Sequence, residues 1–250
     1  MIGFTGRQKR IPVPARGVYL VGAGVAPRSG DGGGLAAGCV AALADTASHC
    51  DPGPEVLKDY LQLLVLGRDG ALAGEDAEVI GALDVEPLGA VSVEGEGPAL
   101  SAAWWAVASG AADAALLACW DADQLRCALL AETEAAHTVQ RAPAGLLVAG
   151  GSGPADPTAA LRWALRQVRG MGDIHDPAAQ IVRSCIHDGG LGLEGELASS
   201  ERYTRDEPLL AMLTWAHADL RGAGAGAGAQ LCVQVERAGL AVTAALLRTR

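Results

Sequence analysis

The feature that most constrains the fold is a repeated alternation of short apolar runs with helical stretches of small residues. Residues 17–24 (GVYLVGAG) are an apolar run bounded by glycines, as expected of a strand buried on both faces. Residues 35–50 have a helical composition, and the apolar run LQLLVLG lies beyond them. The order of strand, helix and strand then repeats, with GAVSVEG as a strand, PALSAAWWAVASG as a helix and ADAALLACW as a strand. Since strands alternate with helices, we predict an α/β layer with parallel strand pairing.

The composition is typical of a globular chain and excludes several classes of function. Half of the 250 residues are hydrophobic and 19% are charged, which is enough apolar material for a sizeable core. A net charge of −10 argues against nucleic-acid binding, because neutralising phosphates takes clustered Lys and Arg. Residues 97–112, the longest uncharged apolar stretch, fall short of the roughly 18 residues of a membrane span. The N-terminus lacks the apolar segment of a secretory signal. We expect no nucleic-acid or membrane partner and a cytoplasmic location.

The second half of the chain predicts the same kinds of element. APAGLLVAG predicts a strand, and residues 206–222 predict a helix, with acids in the first turn and apolar residues close to helical spacing. After the GAGAGAGA connector, AQLCVQVER and GLAVTAALLRTR predict a closing hairpin. The order of glycine turn, apolar helix and apolar strand occurs in both halves, which suggests a duplication. We expect residues 1–16 to be a tail and 17–250 a single domain, with repeats of about 17–125 and 140–250.

These segments resemble the thiolase and ketosynthase superfamily of condensing enzymes. VYLVGAG is similar to the family's opening strand, SGAADAALLACW to the junction between the nucleophile helix and the next strand, and AQLCVQVERAGLAVTAALLR to the closing hairpin. The resemblance implies duplicated βαβαβ halves that form an αβαβα layered core. It also implies a central position for the helix that contains Trp104 and Trp105, beside the strand of the dimer seam. Both tryptophans could pack in the core, whereas an exposed one would be an interface anchor.

The residues that would carry catalysis in this family are missing. Condensing enzymes place a cysteine at the strand-to-helix turn, where its thiolate attacks an acyl thioester. Counting back from Ser109 places that position on Val93, or on Glu94 after a shift of one residue. In DGGLGLEGEL, which is similar to the turn with the family's Gly-His-Pro, Glu196 stands where the histidine would be. Since catalytic groups of this kind act together, we expect no condensation by this chain and no catalytic residue in it.

The resemblance therefore implies an accessory subunit. Chain-length factors keep the fold, lack the cysteine and pair with an active ketosynthase to shape the acyl tunnel. We interpret the chain as such a catalytically inactive subunit, which forms a heterodimer with an active ketosynthase in polyketide or fatty-acyl biosynthesis. An acyl carrier protein would dock on the partner subunit, because a charge of −10 repels an acidic carrier.

Other interpretations stay open at the level of sequence. Glu94, Glu96, His187 and Glu196 are pocket candidates that could perform acid–base chemistry on an acyl thioester. Alternatively, Glu94 and Glu96 only favour the N-terminus of the helix that begins near Pro98. An acyl-CoA-binding scaffold subunit of a thiolase complex is a third interpretation. We expect no cofactor and no metal, because GAGVAP lacks the third glycine of a dinucleotide site and the cysteines show no zinc spacing.

Overall fold

A computed structural model describes residues 16–27, 34–48, 61–68, 81, 89–121, 123–139, 143–152, 208–222, 229–236 and 241–248. Twelve helices and strands lie within these ranges. In chain order they are β1 (Val18–Pro27), α1 (Gly34–Ala47), β2 (Leu63–Arg68), β3 (Gly89–Glu94), α2 (Glu96–Ala108), β4 (Ala114–Trp120), β5 (Gln124–Glu132), α3 (Thr133–Val139), β6 (Ala144–Ser152), α4 (Leu209–Gly222), β7 (Ala229–Glu236) and β8 (Ala241–Arg248). None of the helices described is long and apolar enough to cross a membrane.

The eight strands form one mixed sheet in the order β3-β2-β4-β5-β1-β6-β8-β7. The predicted parallel pairing holds for β2 with β3 and for β2 with β4. All the other pairs of described strands are antiparallel, so the prediction of parallel pairing is wrong for them. For strands that follow each other in the chain, the physical reason is the length of the connection. A helix joins β3 to β4 and permits a crossover, whereas a short turn at Asp121 joins β4 to β5 and permits only a hairpin. The predicted closing hairpin is the antiparallel pair of β7 and β8.

Strand β5 is an element that the sequence prediction missed. It pairs with β1 on one side and with β4 on the other, so it lies inside the sheet. Residues 125–131 are all buried, although Arg126 is one of them. The sequence prediction missed this strand because Arg126 interrupts its apolar run, and a charged residue normally indicates the protein surface.

Helices cover both faces of the first half of the sheet. Along β4 every residue is buried, and alternate residues belong to two different apolar clusters. Leu117 and Cys119 share one cluster with residues of α2 and α4, whereas Leu116 and Ala118 share the other with residues of α1 and α3. This burial on both faces explains why the strands are continuous apolar runs instead of alternating ones.

Helices α2 and α4 form a layer between the two ends of the curved sheet. Helix α2 contacts β2 and β4 as well as β6 and β8, and α4 contacts β1, β5, β7 and β8. Trp104 in α2 is buried, and its Nε1 donates a hydrogen bond of 2.9 Å to the carbonyl oxygen of Leu146 in β6. The described layers therefore run helix, sheet, helix, sheet, and the α/β fold class is confirmed.

A hairpin flanks the pair of β1 and β6 on each side of the sheet, and β2 and β3 extend the sheet on one side only. Outward from this pair, β5 and β4 follow on one side and β8 and β7 on the other. On each side a central helix precedes the hairpin in the chain, namely α2 before β4 and α4 before β7. The limits of the tail and of the two repeats stay predictions, and residues 1–15 lie outside the described ranges.

Candidate functional site

The turn between β3 and α2 is the place where the family resemblance puts the nucleophile. Val93 is half-buried and packs against the core that contains α2 and α4, whereas Glu94 is exposed at the end of β3. Gly95 follows with φ at 85° and ψ at 144°, a conformation that favours glycine over any residue with a Cβ. The turn therefore presents Val93, Glu94, Gly95 and Glu96 in sequence, and none of these residues carries a thiol.

Glu96 is the buried carboxylate of this turn. Its side chain is 9% exposed, and its Oε1 accepts a hydrogen bond of 2.9 Å from Nε of Arg126. The same carboxylate accepts hydrogen bonds from the backbone N–H groups of Leu209 and Leu210, the first two residues of α4. These two N–H groups lie in the first turn, where a helix offers no internal acceptor, so the carboxylate satisfies donors that would otherwise be unpaired.

Glu94 and Glu96 do not share one environment, since the first is exposed and the second is buried against Arg126. The alternative prediction, that both residues favour the start of the following helix, fits only in part. Glu96 does lie in the first turn of α2, but no side chain caps the N-terminus of that helix. The hydrogen bonds of Glu96 go instead to the start of α4, which is far away in sequence.

Arg126 lies at the centre of a buried network of charges. It is 5% exposed, and while its Nε meets Glu96, its NH1 donates a hydrogen bond of 2.8 Å to Oδ2 of Asp121. The other oxygen of Asp121 accepts 2.8 Å hydrogen bonds from the backbone N–H groups of Asp123 and Gln124. The guanidinium is thus held between two carboxylates, one of which also closes the turn between β4 and β5.

Burial and charge pairing shift the ionisation of these groups in different directions. Burial raises the pKa of Glu96, and the nearby Arg126 and the N–H groups of α4 oppose this only in part. For Asp121, burial acts upward, but the hydrogen bonds from Arg126 and from two backbone N–H groups outweigh it and lower the pKa. Burial acts downward on Arg126, but the two carboxylates outweigh it and raise its pKa. Arg126 therefore stays charged throughout the pH range in which the protein is handled.

This arrangement fits a structural role for Glu96 better than a role in proton transfer. Three donors, one of them a guanidinium, hold its carboxylate in place, so its oxygens are already occupied by partners within the chain. Cys119 on β4 does not replace the missing nucleophile. Burial and the negative charge of Glu96 raise the pKa of its thiol well above the ordinary value, so that no thiolate forms near neutral pH.

The two tryptophans of α2 differ in exposure. Trp104 is buried, while Trp105 is 38% exposed and meets it edge to face with ring centroids 5.4 Å apart. Val91 of β3 is 47% exposed. Trp104 therefore belongs to the core, and Trp105 remains the candidate for an interface.

Two of the predicted pocket residues cannot be placed beside this network. His187 and Glu196 lie outside the described residues. Conversely, the sequence analysis missed Arg126, which organises the site. The available signal was a single arginine within the otherwise apolar run LRCALLA, because a charge in a buried strand requires a partner.

Comparisons with known proteins identify the fold. No protein-family model and no curated protein matches this sequence. Among solved structures, a monomeric SCP2-thiolase-like protein type 1 from Mycobacterium smegmatis is 11% identical with a TM-score of 0.63, over 92% of this chain and 77% of that one. Human mitochondrial 3-ketoacyl-CoA thiolase in complex with CoA is 10% identical with a TM-score of 0.55, over 94% of this chain and 98% of that one. The chain has a thiolase-like fold, and at these identities the similarity concerns the fold alone.

Proposed function

We propose that this chain is a catalytically inactive, chain-length-factor-type subunit with a thiolase-like fold. In this proposal it forms a heterodimer with an active ketosynthase and bounds the acyl tunnel in polyketide or fatty-acyl biosynthesis, in the cytoplasm. The observation that carries the proposal is the turn between β3 and α2. It holds no thiol, and its buried carboxylate is already bound to Arg126 and to the start of α4.

The outer edge of β3 supports the pairing with a second subunit. Among the described strands β3 ends the sheet, and three consecutive residues, Ala90, Val91 and Ser92, are exposed. Exposed edge strands usually carry a Lys, a Pro or a bulge that prevents pairing. The segment GAVSV contains neither Lys nor Pro, and its register with β2 has no bulge. An unprotected edge of this kind suits the addition of a strand from a partner.

Trp105 on α2, the helix that follows β3, is a second exposed apolar residue. The helix runs back along β3 before the chain enters β4, and it rises about 1.5 Å per residue where a strand rises about 3.3 Å. These rises place Trp105 approximately level with Val91. Both side chains are substantially exposed, and tryptophan is among the residue types that most often anchor interfaces.

The proposal is tested by coexpressing the chain with a ketosynthase that has an intact cysteine, chosen from the gene neighbourhood. Size-exclusion chromatography with light scattering is expected to show a stable 1:1 complex. The double variant Val91→Lys with Trp105→Ser is expected to weaken this complex by at least tenfold, because it adds a charge and removes the anchor. Trp215→Ser is the matched control, since Trp215 is equally exposed at 37% but lies on α4.

A well-behaved monomer that ignores the ketosynthase would contradict the proposal. Turnover of an acyl thioester by the isolated chain, abolished by Glu94→Gln, would instead support the acid–base enzyme. Heat released on titration with CoA esters in the absence of turnover would support the acyl-CoA-binding scaffold.

A further inference from the structure

The N-termini of the two central helices meet at one carboxylate. Helix α2 begins at Glu96, and the carboxylate of that residue accepts hydrogen bonds from the first two N–H groups of α4. The N-terminus of a helix carries a partial positive charge of about half an elementary charge. Two such ends therefore create a positive field at the position of this carboxylate, before any side chain is considered.

A buried cation completes the set of donors. Arg126 is 5% exposed and directs Nε at Oε1 of Glu96 over 2.9 Å, while its NH1 is directed at Asp121. A guanidinium together with two backbone N–H groups is a typical set of donors for a carboxylate or another small anion. The carboxylate of Glu96 therefore occupies a position that has the donors of an anion-binding site.

We propose that Arg126 and the N–H groups of Leu209 and Leu210 form an anion site whose resident ligand is the Glu96 carboxylate. When that carboxylate is removed, an exogenous monocarboxylate such as acetate or formate occupies the site. The side chain of Glu96 is a propionate-like arm, so truncation to Ala vacates the volume that a two-carbon acid requires. The site needs no ketosynthase partner, because one chain supplies all of its donors.

The site has a consequence for chemistry on thioesters. A carbonyl oxygen under attack becomes an oxyanion and needs convergent donors of this kind. In the native chain these donors are already used, so the site is closed to any external oxyanion. Glu96 would in this way be the residue that excludes external anions from the N-termini of the central helices.

The test is chemical rescue of Glu96→Ala. The free energy of unfolding is measured by urea titration in sodium acetate and in sodium chloride at equal ionic strength. Acetate is expected to stabilise Glu96→Ala with a saturable dependence on concentration. At ten times its dissociation constant, acetate multiplies the ratio of folded to unfolded protein about 11-fold.

Three further chains separate the site from general effects of salt. The wild type keeps its own carboxylate, Glu96→Gln keeps the volume filled, and Glu94→Ala loses the same charge at an exposed position. None of these is expected to respond to acetate beyond its response to chloride. Equal responses in all four chains, or no response in Glu96→Ala, would overturn the proposal. If Glu96→Ala does not fold in chloride, refolding in acetate supports the site, and failure to refold in both salts counts against it.

Discussion

At the scale of single residues, the turn before α2 depends on the backbone of Gly95. Its φ of 85° with ψ at 144° lies in a region where a Cβ collides with the neighbouring peptide groups. This backbone conformation lets the chain leave β3 and enter α2 at once, so that Glu96 is the first residue of the helix. Gly95 thereby positions the carboxylate on which the site is built.

We predict that Gly95→Ala lowers the free energy of unfolding by about 1–3 kcal/mol, because alanine adopts this conformation only under strain. Urea titration measures the loss. Gly89→Ala in β3 is the control, since a Cβ there would lie 3.8 Å from Leu63 Cδ1, which is ordinary contact. Equal losses in the two variants would show that the positive φ of Gly95 is not the cause.

At the scale of elements, a hydrogen bond from α2 to β6 connects the central layer to the second half of the sheet. Strands β1 and β6 pair only through Tyr19 with Gly145 and Leu20 with Ala144. Just beyond this short ladder, the carbonyl of Leu146 accepts its hydrogen bond from the indole of Trp104. A side chain of α2 thus continues the contact between the halves where the strands no longer pair.

We predict that Trp104→Phe destabilises the protein by about 1–3 kcal/mol, since it leaves the buried Leu146 carbonyl without this donor and also removes packing volume. Thermal and urea unfolding measure the change. Trp105→Phe, at the exposed neighbouring position, is expected to stay within about 0.5 kcal/mol of the wild type. The prediction is wrong if the two variants are destabilised to the same extent.

At the scale of the whole molecule, buried thiols make stability depend on alkaline pH. Burial raises the pKa of Cys232 in β7 from 9.0 to about 12. Between these values the folded chain keeps the proton and the unfolded chain releases it. The free energy of unfolding therefore falls as the pH rises from about 9 towards about 12, and the full contribution of this thiol is present only below pH 9.

We predict that the wild type loses about 1.4 kcal/mol more than Cys232→Ala between pH 8 and pH 10, which corresponds to one pKa unit of linkage. Urea titrations of both chains at the two pH values give the difference, and all other titrating groups cancel. Parallel curves for the two chains would mean that Cys232 ionises in the folded protein as it does in the unfolded one.

The apolar pattern alone predicts a large part of the fold. The segments GVYLVGAG and PALSAAWWAVASG overlap most of β1 and α2, ADAALLACW contains β4, and the final pair of runs contains the β7–β8 hairpin. These predictions succeed because strands buried on both faces and a helix packed between the two halves of the sheet consist of continuous small apolar residues. The pattern is local, so it is present before any tertiary contact forms.

Only the tertiary structure decided the role of Glu96 and the place of β5. Glu96 meets Arg126 thirty residues away and Leu209 much later in the chain, and no local pattern connects positions so far apart. β5 was concealed by the same arginine, whose burial is tolerable only because two carboxylates surround it. By itself, then, the sequence determined the α/β class and the absence of a thiol at the turn, which are matters of composition and order. The use of the carboxylate at that turn depended on charges that only the folded chain brings together.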